Sequence, residues 1–87
     1  MLKISQTGRA NHSVTLKLEG RVIGPWVEEL RRVCEAHFAE ARAVKLDLAE
    51  VSYVDAEGAA TLTGFRSRGV RLKNCSPFVE QQITTFS

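Results

Sequence analysis

The chain is poor in the residues that most often announce chemistry. Its 87 residues include only two cysteines, Cys34 and Cys75, far apart and in no CxxC or zinc-type pairing. That spacing provides neither a zinc pair nor a dithiol redox motif, and both are read as reduced structural thiols. The two histidines, His12 and His37, stand without a second ligand at helical or strand spacing, so no metal site is expected. Gly20 and Gly24 bracket Arg21-Val22-Ile23, a mostly apolar stretch without the lysine of a phosphate loop; they suit a strand exit and a helix cap. No cofactor motif remains.

Long runs are missing as well. Nowhere do about eighteen apolar residues occur together, and Met1-Leu2-Lys3-Ile4-Ser5-Gln6 contains no apolar core of a signal segment. Membrane insertion is not expected, and the cytoplasm is the expected location. A net charge of +2 with 25% charged residues provides no block or stripe of one sign, which argues against nucleic acid as a partner. Arg66, Arg68, Arg71 and Lys73 are the sole local basic cluster, and it reads as a solvated corner between a helix and a strand. There is no repeat, linker or low-complexity stretch. At 44% hydrophobic content the whole chain, residues 1–87, is expected to form one small globular domain.

What is present is patterning. Leu2–Gln6 reads as a short first strand, Thr7–His12 as a turn, and Ser13–Glu19 as a second strand in which Val14, Leu16 and Leu18 alternate with polar residues. Gly24-Pro25 opens a long helix with Val27, Leu30, Cys34, Phe38 and Ala41 on one stripe. Glu28, Glu29, Arg31, Arg32 and Glu35 occupy its solvated face, with Glu28 placed to pair with Arg32. Trp26, off that stripe, either packs under the neighbouring loop or stands exposed as an interface anchor.

The segment Val44–Gly58 carries most information. Val44, Leu46 and Leu48 alternate as a core strand, Val51 and Val54 continue to bury the chain beyond it, a tight loop follows, and Asp55 is placed to cap a helix that Gly69 ends. Glu57 adds a carboxylate in the first turn, near the positive end of the helix dipole. Asp55 and Glu57 are therefore read as cap and dipole partner, not as a catalytic pair, since no nucleophile or base accompanies them. Ser52 is a turn residue or a reciprocal cap. Val70 and Leu72 form a fourth short strand, and Ser76-Pro77 start a third helix containing Phe78, Val79, Gln82 and Ile83. Thr84–Ser87 is read as a frayed end or an extended segment. The order strand, strand, helix, strand, helix, strand, helix predicts an α/β fold: a mostly parallel four-stranded sheet with an antiparallel N-terminal strand and about three helices. The predicted core is Leu16, Leu18, Val27, Leu30, Phe38, Leu46, Leu48, Val54, Leu62, Phe65, Val70 and Leu72.

Leu46-Asp47-Leu48, then Val51-Ser52-Tyr53-Val54-Asp55, then Ala56-Glu57-Gly58 resemble the STAS domain, the module named after sulfate transporters and anti-sigma-factor antagonists. Val14–Val22 and Gly69–Val79 are similar to further segments of that family, so the resemblance spans about residues 13 to 83 and stops short of a strand and helix that the family usually adds. It implies a protein-binding module without enzymatic activity, whose partner is an anti-sigma kinase-like ATPase or a transporter subunit. Phospho-regulated members carry a serine directly after the capping Asp; Ala56 stands there in this chain. The implied docking surface comprises Tyr53, Asp55, Ala56, Glu57, Gly58 and Thr61, with Thr61 on the exposed side of its helix. The alternatives are a STAS subunit of an ABC-type lipid transport complex, and a domain that senses a nucleotide or small anion, which Asp55 and Glu57 would oppose. An uncovered sheet edge is further expected to favour a homodimer or a stable complex.

Overall fold

The computed structural model describes residues 1–86, in the order β1 (Leu2–Ala10), β2 (Ser13–Val22), α1 (Pro25–Ala39), β3 (Ala43–Val54), α2 (Ala56–Ser67), β4 (Arg71–Lys73) and α3 (Pro77–Phe86). The sheet runs β1-β2-β3-β4; β1 is antiparallel to β2, and the remaining pairs are parallel. This is the predicted α/β arrangement. Val14, Leu16 and Leu18 of β2 and Val44, Leu46 and Leu48 of β3 turn to one face, where Val27, Leu30 and Cys34 of α1, Leu62 and Phe65 of α2, and Val79 and Ile83 of α3 close a single core. The opposite face keeps its polar residues. A sheet buried on one side only produces clean apolar-polar alternation, which is why these strands were readable.

The β1–β2 hairpin is longer than predicted. Ala10 pairs with Ser13, leaving a two-residue turn, and a bulge between Gln6 and Gly8 carries β1 through the stretch expected to be loop. Strand β3 is longer for the same reason. Ala49-Glu50 and Ser52-Tyr53 are exposed pairs that break the two-residue period, yet Glu50, Val51, Tyr53 and Val54 still pair with Glu19, Gly20, Arg21 and Val22 across two register shifts. The expected tight loop is a bulged strand. Ser52 accordingly caps no helix; its hydroxyl donates to the carbonyl of Gly20 at 3.3 Å.

Helix α1 stops earlier than its stripe suggested. Ala41 lies beyond it with φ +58°, and the N–H groups of Ala41 and Arg42 return to the carbonyls of Phe38 and His37 at 2.9 and 3.1 Å. On its solvated face Arg31 pairs with Glu28 and Arg32 with Glu29, each three residues apart, in place of the expected Glu28–Arg32 pair. Gly69, at φ +92°, ends α2 as predicted, with Val70 N–H bonded to the Phe65 carbonyl at 3.0 Å. Ser76 caps α3 through Val79 N–H at 3.2 Å. That helix continues through Phe86, so Thr84 and Thr85 are helical and not extended; Ser87 lies outside the described residues. Of the predicted core, Phe38 and Leu72 are only partly buried, because Phe38 sits in the last turn of α1 and Leu72 on the three-residue edge strand.

Candidate functional site

Strand β3 delivers Asp55 to the point where two helices begin. Its backbone is extended (φ −86°, ψ −178°), and its side chain is divided between the helices. Oδ1 accepts from Gly58 N–H at 2.7 Å, capping α2, and Oδ2 accepts from Gly24 N–H at 3.0 Å, at the N-cap of α1. Gly24 has no side chain to cap its own helix. One carboxylate therefore satisfies donors at both helix starts, one through each oxygen. Gly58 fits only without a side chain: a Cβ there would lie 2.3 Å from the Val22 carbonyl oxygen and 3.1 Å from the Val22 and Val54 methyls. The first turn of α2 is thus pressed directly onto the ends of β2 and β3.

Between α1 and α2 runs an open groove of about 320 Å³, floored by Ala60, Gly64 and Phe65. Its two ends are charged. At one, Arg31 donates to the Thr61 hydroxyl at 2.9 Å. At the other, Arg68 makes two bonds to Glu35, at 2.7 and 3.2 Å, and its guanidinium stacks 4.3 Å above the Phe38 ring. Phe38 in turn meets Phe65 edge to face, with ring centroids 5.8 Å apart. The Arg68 hydrogen bond holds the Glu35 carboxyl below its ordinary range, and Glu35 raises Arg68 in return. Beneath this pair Cys34 is fully buried; desolvation, assisted by the nearby Glu35, pushes its thiol up to about 12, so it is not a reactive thiolate. Burial likewise raises Cys75, to about 11.

The residues of the sequence-derived surface separate into two groups. Ala56, Glu57 and Tyr53 are exposed, Tyr53 at 39% and paired in register with Arg21. Asp55 is half-buried, and Gly58 is buried. Thr61, expected on the outer side of the helix, is also buried (8% exposed), because its hydroxyl faces α1 and holds Arg31. Trp26 is 37% exposed beside Pro25, so it belongs to the surface. Ala60, Gly64, Arg31, Glu35 and Arg68 were missed as parts of the groove. A sequence signal existed for the first two: Ala56, Ala60 and Gly64 recur every four residues, which places small residues along one side of α2. The basic corner Arg66, Arg68, Arg71 and Lys73 does not hold together. Arg66 bonds Glu80 of α3 and Arg68 bonds Glu35 of α1, while Arg71 and Lys73 lie on the sheet.

Among the described residues no three His, Cys, Asp or Glu side chains converge as metal ligands, and no helix is long and apolar enough to cross a membrane. Fold and site together define a small α/β domain built around a doubly shared helix cap. The sequence profile of the family described as "Mlab, STAS domain" matches residues 5–86, so the chain belongs to the STAS family. Among solved structures it is similar to the anti-sigma factor antagonist SpoIIAA in its unphosphorylated form, with a TM-score of 0.72 and 21% identity over 98% of this chain and 84% of that one. No curated protein sequence matches the chain.

Proposed function

We propose that this chain is a non-catalytic protein-binding module, resembling an anti-sigma-factor antagonist without its phosphoacceptor serine, whose docking face is the exposed side of α2. The observation that carries this reading is the division of labour around Asp55. Both of its oxygens are engaged in fixing the helices, while the adjoining side of α2 presents Ala56, Glu57, Ala60 and Gly64 to solvent. Small side chains let a partner's backbone and apolar ridge approach closely, and Glu57 supplies a fixed charge at the rim. Tyr53 borders the same surface and offers a rigid amphipathic contact of the kind that anchors interfaces. The likeness to SpoIIAA supports the partner class. Ala56 has no hydroxyl, so a kinase partner would bind without modifying this position, and docking would not be switched there by phosphate charge.

Co-purification with the products of the neighbouring genes tests the reading. Wild type should retain a partner that Glu57→Lys and Ala60→Arg each bind at least about tenfold less tightly, a loss of about 1.4 kcal/mol. Both variants should melt within a few degrees of wild type, since both positions are exposed. Equal retention by all three proteins would remove α2 from the interface. A retained kinase-like ATPase would support sigma-factor control; a retained permease and ABC ATPase would assign the face to a transport complex.

A further inference from the structure

The face of the sheet opposite the helices carries a cationic patch that the sequence does not display. In register across three strands, Thr15, Lys45 and Arg71 form one row, and Lys17, Asp47 and Lys73 form the next. Strands lie about 4.8 Å apart and alternate residues about 6.7 Å, so the two rows occupy roughly 10 by 7 Å. Four cations therefore surround one carboxylate. That carboxylate is occupied: Asp47 Oδ1 accepts from Ala49 N–H at 3.0 Å and from the Asn74 amide at 3.1 Å. Among the described residues every ion pair belongs to the helical side, where Arg31, Arg32, Arg66 and Arg68 each have a carboxylate, or to the Arg42–Glu40 pair at the end of α1. Among the described residues none of Lys17, Lys45, Arg71 or Lys73 makes a direct ion pair, although Lys17 and Lys73 are close enough to attract Asp47. Toward the C-terminal ends of β2 and β3 the next row, Lys3, Glu19 and Glu50, turns acidic and bounds the patch.

We propose that this open face rests on an anionic lipid surface, holding the domain at a membrane periphery with α2 directed away from it. Shape and composition select this occupant. Four grooves among the described residues lie along α1, between α1 and α2, between β1 and α1, and on α3, and none of these four is lined by the two cationic rows. The two cationic rows contain no aromatic ring on which a nucleobase could stack. Four cations around one carboxylate on an open sheet face instead match a surface of negative headgroups, to which basic residues contribute additively and in a salt-sensitive way.

Vesicle flotation of the intact protein provides the test, with phosphatidylcholine vesicles compared against vesicles containing about one third phosphatidylserine. Wild type should float with the anionic vesicles only, at low and at physiological ionic strength, and salt at about 1 M should release it. The double variant Lys45→Gln/Arg71→Gln should partition about tenfold less or weaker still, whereas Arg32→Gln, on the helical side, should behave as wild type. The salt dependence of wild type stands even where the double variant fails to fold. Absence of wild type from anionic vesicles, equal binding to neutral ones, or retention on an oligonucleotide or polyglutamate but not on vesicles would each overturn the proposal.

Discussion

Asp55 and Gly24, 31 residues apart, are joined by a 3.0 Å hydrogen bond from the Gly24 N–H to the carboxylate that also caps α2. The start of α1 is thereby tied to the start of α2 through a single side chain. Two orphan amide donors are satisfied at the positive ends of two helix dipoles, which is where a negative charge is most favourable.

Asp55→Ala should destabilise the domain by about 2 kcal/mol, more than the roughly 1 kcal/mol of a single lost cap. Asp55→Ser, which can cap α2 with its one oxygen but not serve Gly24 as well, should fall between. Urea denaturation gives the ranking; a loss for Asp55→Ala below about 0.5 kcal/mol would mean that the shared cap is not structural.

Two glycines of α2 should respond in opposite directions to the same substitution. At Gly58 the new methyl meets the Val22 carbonyl oxygen at 2.3 Å, a backbone atom that cannot swing aside, so Gly58→Ala should cost about 1–3 kcal/mol. At Gly64 nothing lies within 4 Å of the added Cβ, and Gly64→Ala should stabilise by about 0.5–1 kcal/mol through helix propensity. Thermal melts of the pair that moved in the same direction would contradict the packing described at the head of α2.

Ala41 occupies the left-handed conformation that closes α1, with φ +58° and no helical role of its own. Glycine tolerates that conformation without a Cβ penalty, so Ala41→Gly should raise the denaturation midpoint, by about 0.5–1 kcal/mol in stability. A lowered midpoint would show that the turn after α1 is not under backbone strain.

Asp47 should make stability depend on acid. Its carboxyl is held below its ordinary value of 3.8, first by the Ala49 N–H, then by the Asn74 amide, with Lys17 and Lys73 adding attraction and partial burial opposing. The charged form favours folding, so the contribution is fully present above pH 3.8 and disappears as pH falls through the lower folded value. Solvent screening keeps it below about 1 kcal/mol. The stability gap between wild type and Asp47→Ala should accordingly be open at neutral pH and close below pH 3.8, as followed by urea titrations across that range. A gap that widened on acidification would contradict the assigned sign.

The order of elements was legible because its signals are local. Alternation in 14–18 and 44–48, Asp55 and Ser76 as caps, Pro25 and Pro77 in first turns and Gly69 at a helix end each depend on residues within a few positions. Register between distant segments was not legible. The bulges that carry β3 to Val54 erase the two-residue period, and only the presence of β2 alongside keeps that stretch a strand. The second oxygen of Asp55 finds Gly24 solely because the ends of β2 and β3 are adjacent, and Gly58 is confined by a carbonyl 36 positions earlier. Tertiary pairing also redistributed charge: it separated Arg66 and Arg68 from Arg71 and Lys73, then set the latter two beside Lys17 and Lys45. The sequence by itself determined the type and order of the elements and the residues at which the helices start, but not how far each strand and helix extends. Which side chains share a surface was decided only when strands remote in sequence came into register.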